Sequence, residues 1–135
     1  MADNNSVLLR IISPDRIFYE GQAEMVEFNT TEGEVGILPG HIPMTVIIKP
    51  GVAKIYETNG ETKEAAMHAG FVEILPDKVT VLAEIAEWPG EIDIARAEAA
   101  RARAEARLQE KDPSMDMQRA EIALLRALAR INVIK

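Results

Sequence analysis

Along the first two thirds of the chain, apolar and polar residues alternate with a sheet period. Along the last third they recur every three or four residues. Residues 7–12 (VLLRII) predict a strand stopped by Ser13-Pro14-Asp15, and residues 16–20 a second, shorter strand ended by Gly21. In residues 23–29 the alternation puts Ala23, Met25 and Glu27 on one side and Glu24, Val26 and Phe28 on the other. Glu32-Gly33-Glu34 turns the chain into residues 35–38, and residues 44–48 form a strand before a turn at Lys49-Pro50-Gly51. Asn59-Gly60 between the runs 52–57 and 62–68 is a strong hairpin signal, because both residue types tolerate positive φ. Residues 71–75 and 78–82 make another hairpin around Pro76-Asp77. This succession of short strands predicts a flattened antiparallel β-sandwich or barrel.

Trp88-Pro89-Gly90 interrupts the pattern, since Pro89 biases Trp88 away from helix. The break divides the chain into a β-sandwich domain at 1–88 and a helical hairpin at 89–135. Asp93 caps a helix running to about residue 110, whose Ala95, Ala99, Ala102 and Ala106 form one stripe. Lys111-Asp112-Pro113-Ser114 supplies a turn and a cap for a second helix to about residue 133, striped by Met117, Ala120, Leu124, Ala127 and Ile131. Two such stripes predict an antiparallel hairpin. Alanine brings the axes to the low end of the ~8–10 Å range, but it buries little apolar area, so the hairpin alone is marginal. Leu108, Leu125 and Leu128 remain to dock on another surface. An arm with more than one resting position is the expectation.

Charge follows the same division. Of a net charge of −7, residues 1–90 carry six basic and fourteen acidic side chains and residues 91–135 nine and eight. An acidic body is unsuited to nucleic acid or to anionic lipid. No apolar run approaches the ~20 residues of a membrane span, and the N-terminus lacks the features of a signal peptide. The expectation is a cytosolic chain whose link to any membrane runs through partners, with no direct insertion. An apolar fraction of 47% suffices for a core, and the absence of cysteine excludes disulfides and zinc thiolates.

Catalytic chemistry has little footing. Ser6, Ser13 and Ser114 lack a His–acid partner set, Glu32 and Glu34 flank a solvated turn, and there is no GxxxxGK[ST] loop. His41 and His68 are isolated, so no metal site is expected. Gly36, Pro39 and Gly40 read as turn residues. Asp93 and Arg96 read as a helix cap with an i,i+3 charge pair. Arg119, Arg126 and Arg130, spaced seven and four apart, fall on one helix face, and arginine forks suit phosphate. A stand-alone ligand-binding or scaffold module with a helical tail remains the competing class.

Three segments carry a resemblance. Residues 33–43 (GEVGILPGHIP), residues 69–74 (AGFVEI) followed by 79–84 (VTVLAE), and Glu87 with residues 92–97 (IDIARA) resemble, in order, motifs of the ε subunit of bacterial F-type rotary ATP synthases. The likeness spans essentially the whole chain. Ala69 stands where the family often has Gly, and Glu84 where it often has Asp.

The resemblance implies a non-catalytic subunit at the foot of the central stalk, coupling proton translocation to ATP synthesis. Its sandwich would meet the γ subunit and the c-ring. Its loop residues Gly36, Leu38, Pro39, Gly40, His41 and Pro43 would lie near those contacts. The arm would pack beside the sandwich or extend toward the β and α subunits and inhibit ATP hydrolysis. No cofactor is required. A regulatory ATP in the folded arm is implied by some relatives, at positions matching Glu87, Ile92, Asp93, Arg96, Ala97, Arg103, Arg119, Arg126 and Arg130. Magnesium stays open, as does the cap-only reading of Asp93 and Arg96. Extended, the arginines would instead face an acidic segment of a β subunit. The implied location is peripheral, at the cytoplasmic face of the cell membrane.

Overall fold

The computed structural model describes residues 5–110 and 116–134. Seven strands come first: β1 (Val7–Ser13), β2 (Arg16–Thr30), β3 (Gly33–Ile37), β4 (Met44–Ile47), β5 (Gly51–Glu57), β6 (Thr62–Ile74) and β7 (Lys78–Glu87). A 3-10 turn (Pro89–Glu91) leads to α1 (Ile94–Glu110) and α2 (Met117–Ile134). The sheet order is β1-β7-β6-β5-β2-β3. An added β1–β2 pairing closes five strands on themselves, while β4 extends from β6. Pairing is antiparallel except between β1 and β7, which run parallel, a departure from the all-antiparallel expectation. Closure leaves few free edges.

Two strands are longer than the sequence pattern predicts. The chain runs through Gly21, which was expected to end a strand, so that β2 spans 15 residues. Tyr19 explains the glycine: its hydroxyl lies 2.8 Å from where a Cβ on Gly21 would sit, and that hydroxyl donates to Glu57 Oε2 at 2.6 Å. In the Asn59-Gly60 turn only Gly60 takes up positive φ, at 89°. The Glu57 carbonyl accepts from Gly60 N–H, and Glu57 N–H donates to the Glu61 carbonyl, so the loop holds three residues, one fewer than the four between the predicted runs.

β6 also continues where a break was expected, through Ala69 (φ 52°) and Gly70 (φ 129°). Before this pair, Ala65 and Met67 enter the core. After it, Val72 and Ile74 do. The inward positions thus switch from odd to even, which a regular pleat cannot do. β7 makes the matching switch, from Val79, Val81 and Ala83 to Ala86. As a result Ala66 and His68 face outward, yet both are buried because α2 lies over them.

The helices form a hairpin in which α1 packs on α2, and α2 also packs on β5 and β6. The predicted α2 stripe holds at Ala120, Ala127 and Ile131. The predicted α1 stripe does not: Ala95, Ala99, Ala102 and Ala106 are all exposed, and Ala97 and Ala104 form the buried face, with Leu108 half-buried beside them. Alanine occurs on several faces of α1, so periodicity alone left the choice undecided. Asp93 caps α1, its Oδ1 accepting from Arg96 N–H at 3.2 Å. Asp116 caps α2 by the same contact to Arg119 N–H, while the predicted cap Ser114 lies outside the described residues. The predicted turn at 111–114 lies outside the described residues. Ala129 and Val133 meet Ala66, Val52 and Ile92 in a small cluster separate from the sandwich core. Leu125 and Leu128 line a groove against β5 and β6. Each buried methyl contributes about 0.8 kcal/mol, so this interface is weak beside the core.

Ala69→Gly should raise stability by about 1 kcal/mol, because a Cβ is disfavoured at positive φ. Gly70→Ala should cost about 3 kcal/mol or more, since its Cβ would sit 2.0 Å from the Leu82 carbonyl oxygen. Urea unfolding at neutral pH checks both, and equal midpoints for the two variants would contradict the face-switch account.

Candidate functional site

The last residue of β7 is Glu87, and the next few residues hinge the helices onto the sandwich. Trp88 stacks on Phe18 with ring centroids 4.2 Å apart and meets Tyr19 edge-on at 6.3 Å. Glu91 Oε1 accepts from Arg16 Nη2 at 2.7 Å and from Trp88 N–H at 2.8 Å. The Arg16 contact, then the Trp88 N–H, holds the Glu91 carboxyl below its ordinary pKa. The hinge is therefore fastened to β2.

Beyond it opens a cleft of about 590 Å³ between the hinge, α1 and α2. Seven of the nine sequence-derived nucleotide candidates surround it. Glu87 comes from β7, Ile92 and Asp93 from the hinge, Arg96, Ala97 and Arg103 from α1, and Arg130 from α2. Asp93, Arg96 and Arg103 share a face because three and seven residues separate them. Between the arginines, Ala99 and Ala100 keep the wall shallow. These two alanines and Glu91 are lining residues the sequence reading missed. The alanines were legible from their place between Arg96 and Arg103. The pairing of Glu91 with Arg16, 75 positions away, was not.

Two candidates lie elsewhere. Arg119 borders a separate depression with Arg107 and Asp116. It shares a helix face with Arg130 but stands eleven residues away, about 16 Å along the axis at 1.5 Å per residue. Arg126 is half-buried one turn from Arg130 and does not line the cleft. Its Nε is buried with no hydrogen-bond partner among the described residues.

One carboxylate oxygen ties the arm to the sandwich. Glu87 Oε1 accepts from Arg130 Nε at 2.8 Å and lies 3.2 Å from His68 Nε2. A carboxylate acceptor requires the proton on Nε2. His68 Nδ1 is then a buried acceptor with no partner among the described residues. Burial, followed by the nearby positive charge of Arg130, lowers the His68 pKa to about 4, against the opposing pull of Glu87. The imidazole is neutral at physiological pH. By contrast, neither Arg96 nor Arg103 has an ion-pair partner among the described residues. The cleft thus offers carboxylates at the hinge and unpaired guanidinium groups along α1, a donor set that suits a phosphorylated ligand with a hydrogen-bonding base.

A second feature lies on the sandwich. Leu38 and Ile42, 57% and 73% exposed, project from the loop that follows β3. Gly40 in that loop adopts φ 83° and donates its N–H to the Pro76 carbonyl at 2.8 Å. His41, also there, donates from its ring to the Ile42 carbonyl. Gly36 is not a turn residue: it pairs with Glu27 inside β3, in extended backbone. Across the outer face of the sheet, Ile47, Phe71, Leu82, Ile12 and Ile17 stand opposite one another from β4 through β6, β7 and β1 to β2. All but Ile12 are exposed. A contiguous apolar row of this kind marks an interaction surface. Among the described residues no helix is long and apolar enough to cross a membrane.

Comparison with known proteins gives the family. Residues 6–89 match the model of the ATP synthase delta/epsilon chain β-sandwich domain, and residues 91–135 that of its long α-helix domain. An ATP synthase epsilon chain from Clostridium kluyveri is 44% identical over 127 residues, covering 94% of this chain and 96% of its own. One from Caldanaerobacter subterraneus subsp. tengcongensis is 45% identical over 125 residues, covering 93% and 91%. Among solved structures, a chain of the Euglena gracilis mitochondrial ATP synthase superposes with a TM-score of 0.84 at 22% identity, over 97% of this chain and 82% of its own. A chain from the central stalk and c-ring of the Tetrahymena thermophila mitochondrial enzyme gives 0.60 at 13%, over 99% and 100%. At those identities the superpositions speak to the fold alone, whereas the two family models and the bacterial relatives establish descent: the chain belongs to the ATP synthase delta/epsilon family, as an epsilon chain, a non-catalytic subunit.

Proposed function

We propose that this chain regulates the ATP synthase through its arm: ATP bound in the cleft holds the hairpin against the sandwich, and release of the arm inhibits ATP hydrolysis. The observation that carries this reading is the composition of the cleft. Its walls come from β7, the hinge, α1 and α2 together, so it exists only while the arm is docked. A ligand that binds only the docked state shifts the population toward it. The carboxylates Glu87, from β7, and Asp93, from the hinge, suit the amine of the base, and Arg96, Arg103 and Arg130 suit the phosphates. The thin apolar interface beneath α2 supports an arm that can leave.

The sandwich at 1–88 then serves as the fixed part, coupling proton-driven rotation to ATP synthesis, and residues 89–135 as the moving arm. The exposed Leu38–Ile42 loop and the row from Ile47 to Ile17 are the surfaces we assign to the γ subunit and the c-ring. The extended arm is assigned to the β and α subunits. The chain would sit peripherally at the cytoplasmic face of the cell membrane as part of that assembly.

Calorimetric titration of the full chain with ATP should give a 1:1 isotherm. Arg103→Ala should weaken binding about tenfold or more, the scale of one charged hydrogen bond, and Arg119→Ala should leave it unchanged. Equal affinities for the parent chain and Arg103→Ala would remove the cleft from the model. For the partner surfaces, Phe71→Glu should abolish capture of the γ subunit in a pull-down while far-ultraviolet circular dichroism stays the same. Full retention of γ by that variant would place the contact elsewhere.

A further inference from the structure

We infer that His68 is a positioning residue beneath the arm that holds Glu87 toward Arg130 while neutral and buried, and that lifting α2 lets it take up a proton, so that acid favours the released arm. The inference rests on the proposed mobility of the arm, but not on nucleotide binding.

The geometry comes first. The switch of inward positions at Ala69-Gly70 turns His68 out of the sandwich core and under α2, where its side chain is 0% exposed. Its Nε2–H reaches the same Glu87 oxygen that receives Arg130, and so orients that carboxylate from below. The charged groups that act on the ring are Glu87 from β7 and Arg130 and Arg126 from α2. Two of the three are cations contributed by the arm. A proton on Nδ1 would therefore be buried with no acceptor among the described residues, facing two guanidinium groups. When α2 leaves, both cations go with it, water reaches the ring, and Glu87 becomes a partner free to stabilise imidazolium.

The sign follows from this difference. Docked, the imidazole protonates only near pH 4. Undocked, it returns to an ordinary value of about 6.5 or above, raised by Glu87. The docked state keeps its full advantage above about pH 6.5 and loses it as pH falls toward about 4. Between pH 7 and pH 5 the His68 contribution should move the docking equilibrium about twentyfold toward release. Glu87 is itself titratable, so the contribution of His68 is defined against a variant that keeps Glu87.

The chain has no native cysteine, so Thr58→Cys and Asn132→Cys, both at exposed positions, allow a donor–acceptor pair to be attached to the full chain. Energy transfer is followed through urea titration at pH 7 and pH 5 without nucleotide. His68→Gln retains an N–H donor for Glu87 and does not titrate. His68→Asn serves as a second variant should the first fold poorly. Between pH 7 and pH 5, the parent chain should show a fall in the arm-release midpoint that exceeds that of His68→Gln by the equivalent of about twentyfold in the docking equilibrium. Proton-detected histidine titration should show His68 protonating only near pH 4. Equal falls in parent and variant, or a His68 that protonates near the ordinary imidazole value of about 6.5 in the docked chain, would overturn the inference. An arm that never separates from the sandwich before global unfolding would overturn it too. A failed ATP titration would leave all of these readouts intact.

Discussion

Glu87 stands where three parts of the molecule meet. One of its oxygens receives Arg130 from the arm and His68 from the sheet, at the strand end from which the hinge begins. A carboxylate sharing two donors is positioned more firmly than one held by a single surface arginine, since neither donor can move without disturbing the other. The apolar contact under α2 is small, so this polar contact is a large part of what distinguishes the docked arm from a detached one. Removing either donor leaves a charge or an imidazole without its partner, and that penalty exceeds the modest gain of the intact contact.

The fastening depends on an unusual stretch of backbone. A regular β6 would have sent either Met67 or Val72 outward. The positive φ angles at Ala69 and Gly70 let both enter the core and leave Ala66 and His68 on the face that α2 covers. Gly70 suits this because the Leu82 carbonyl approaches where a side chain would be. Ala69 pays a small steric penalty for a conformation that glycine would adopt freely. Local strain in the strand thus places a titratable group at the small apolar interface beneath α2.

The parts we propose to be fixed and movable are divided accordingly. The closed strands bury a continuous core, and Trp88, Phe18 and the Arg16–Glu91 pair hold the hinge to it. Past Asp93, the contacts with the sandwich come from α2, and α1 is anchored through α2. The cleft sits at that division, with walls from both sides, and under the function we propose a ligand there would act on the position of the arm and not on the fold of either part.

Much of this was legible in the chain itself. Period two gave the strands, period three to four gave the helices, and Trp88-Pro89-Gly90 marked where one gave way to the other, because these signals arise from local geometry. The group Glu87, Ile92, Asp93, Arg96 and Ala97 is local as well, and it stayed together in the fold. What depended on distance along the chain was undecided until the chain folded. Alanine-rich α1 offered several equivalent stripes, and only contact with α2 selected Ala97 and Ala104. Arg119 shared a face with Arg130 but not a height, since a helix separates by rise what it aligns by rotation. The parallel β1–β7 pair, the Arg16–Glu91 contact and the burial of His68 under the arm all join residues far apart in sequence. Side-chain identity fixed which interactions were available, and the packing of sheet against helix decided which of them formed.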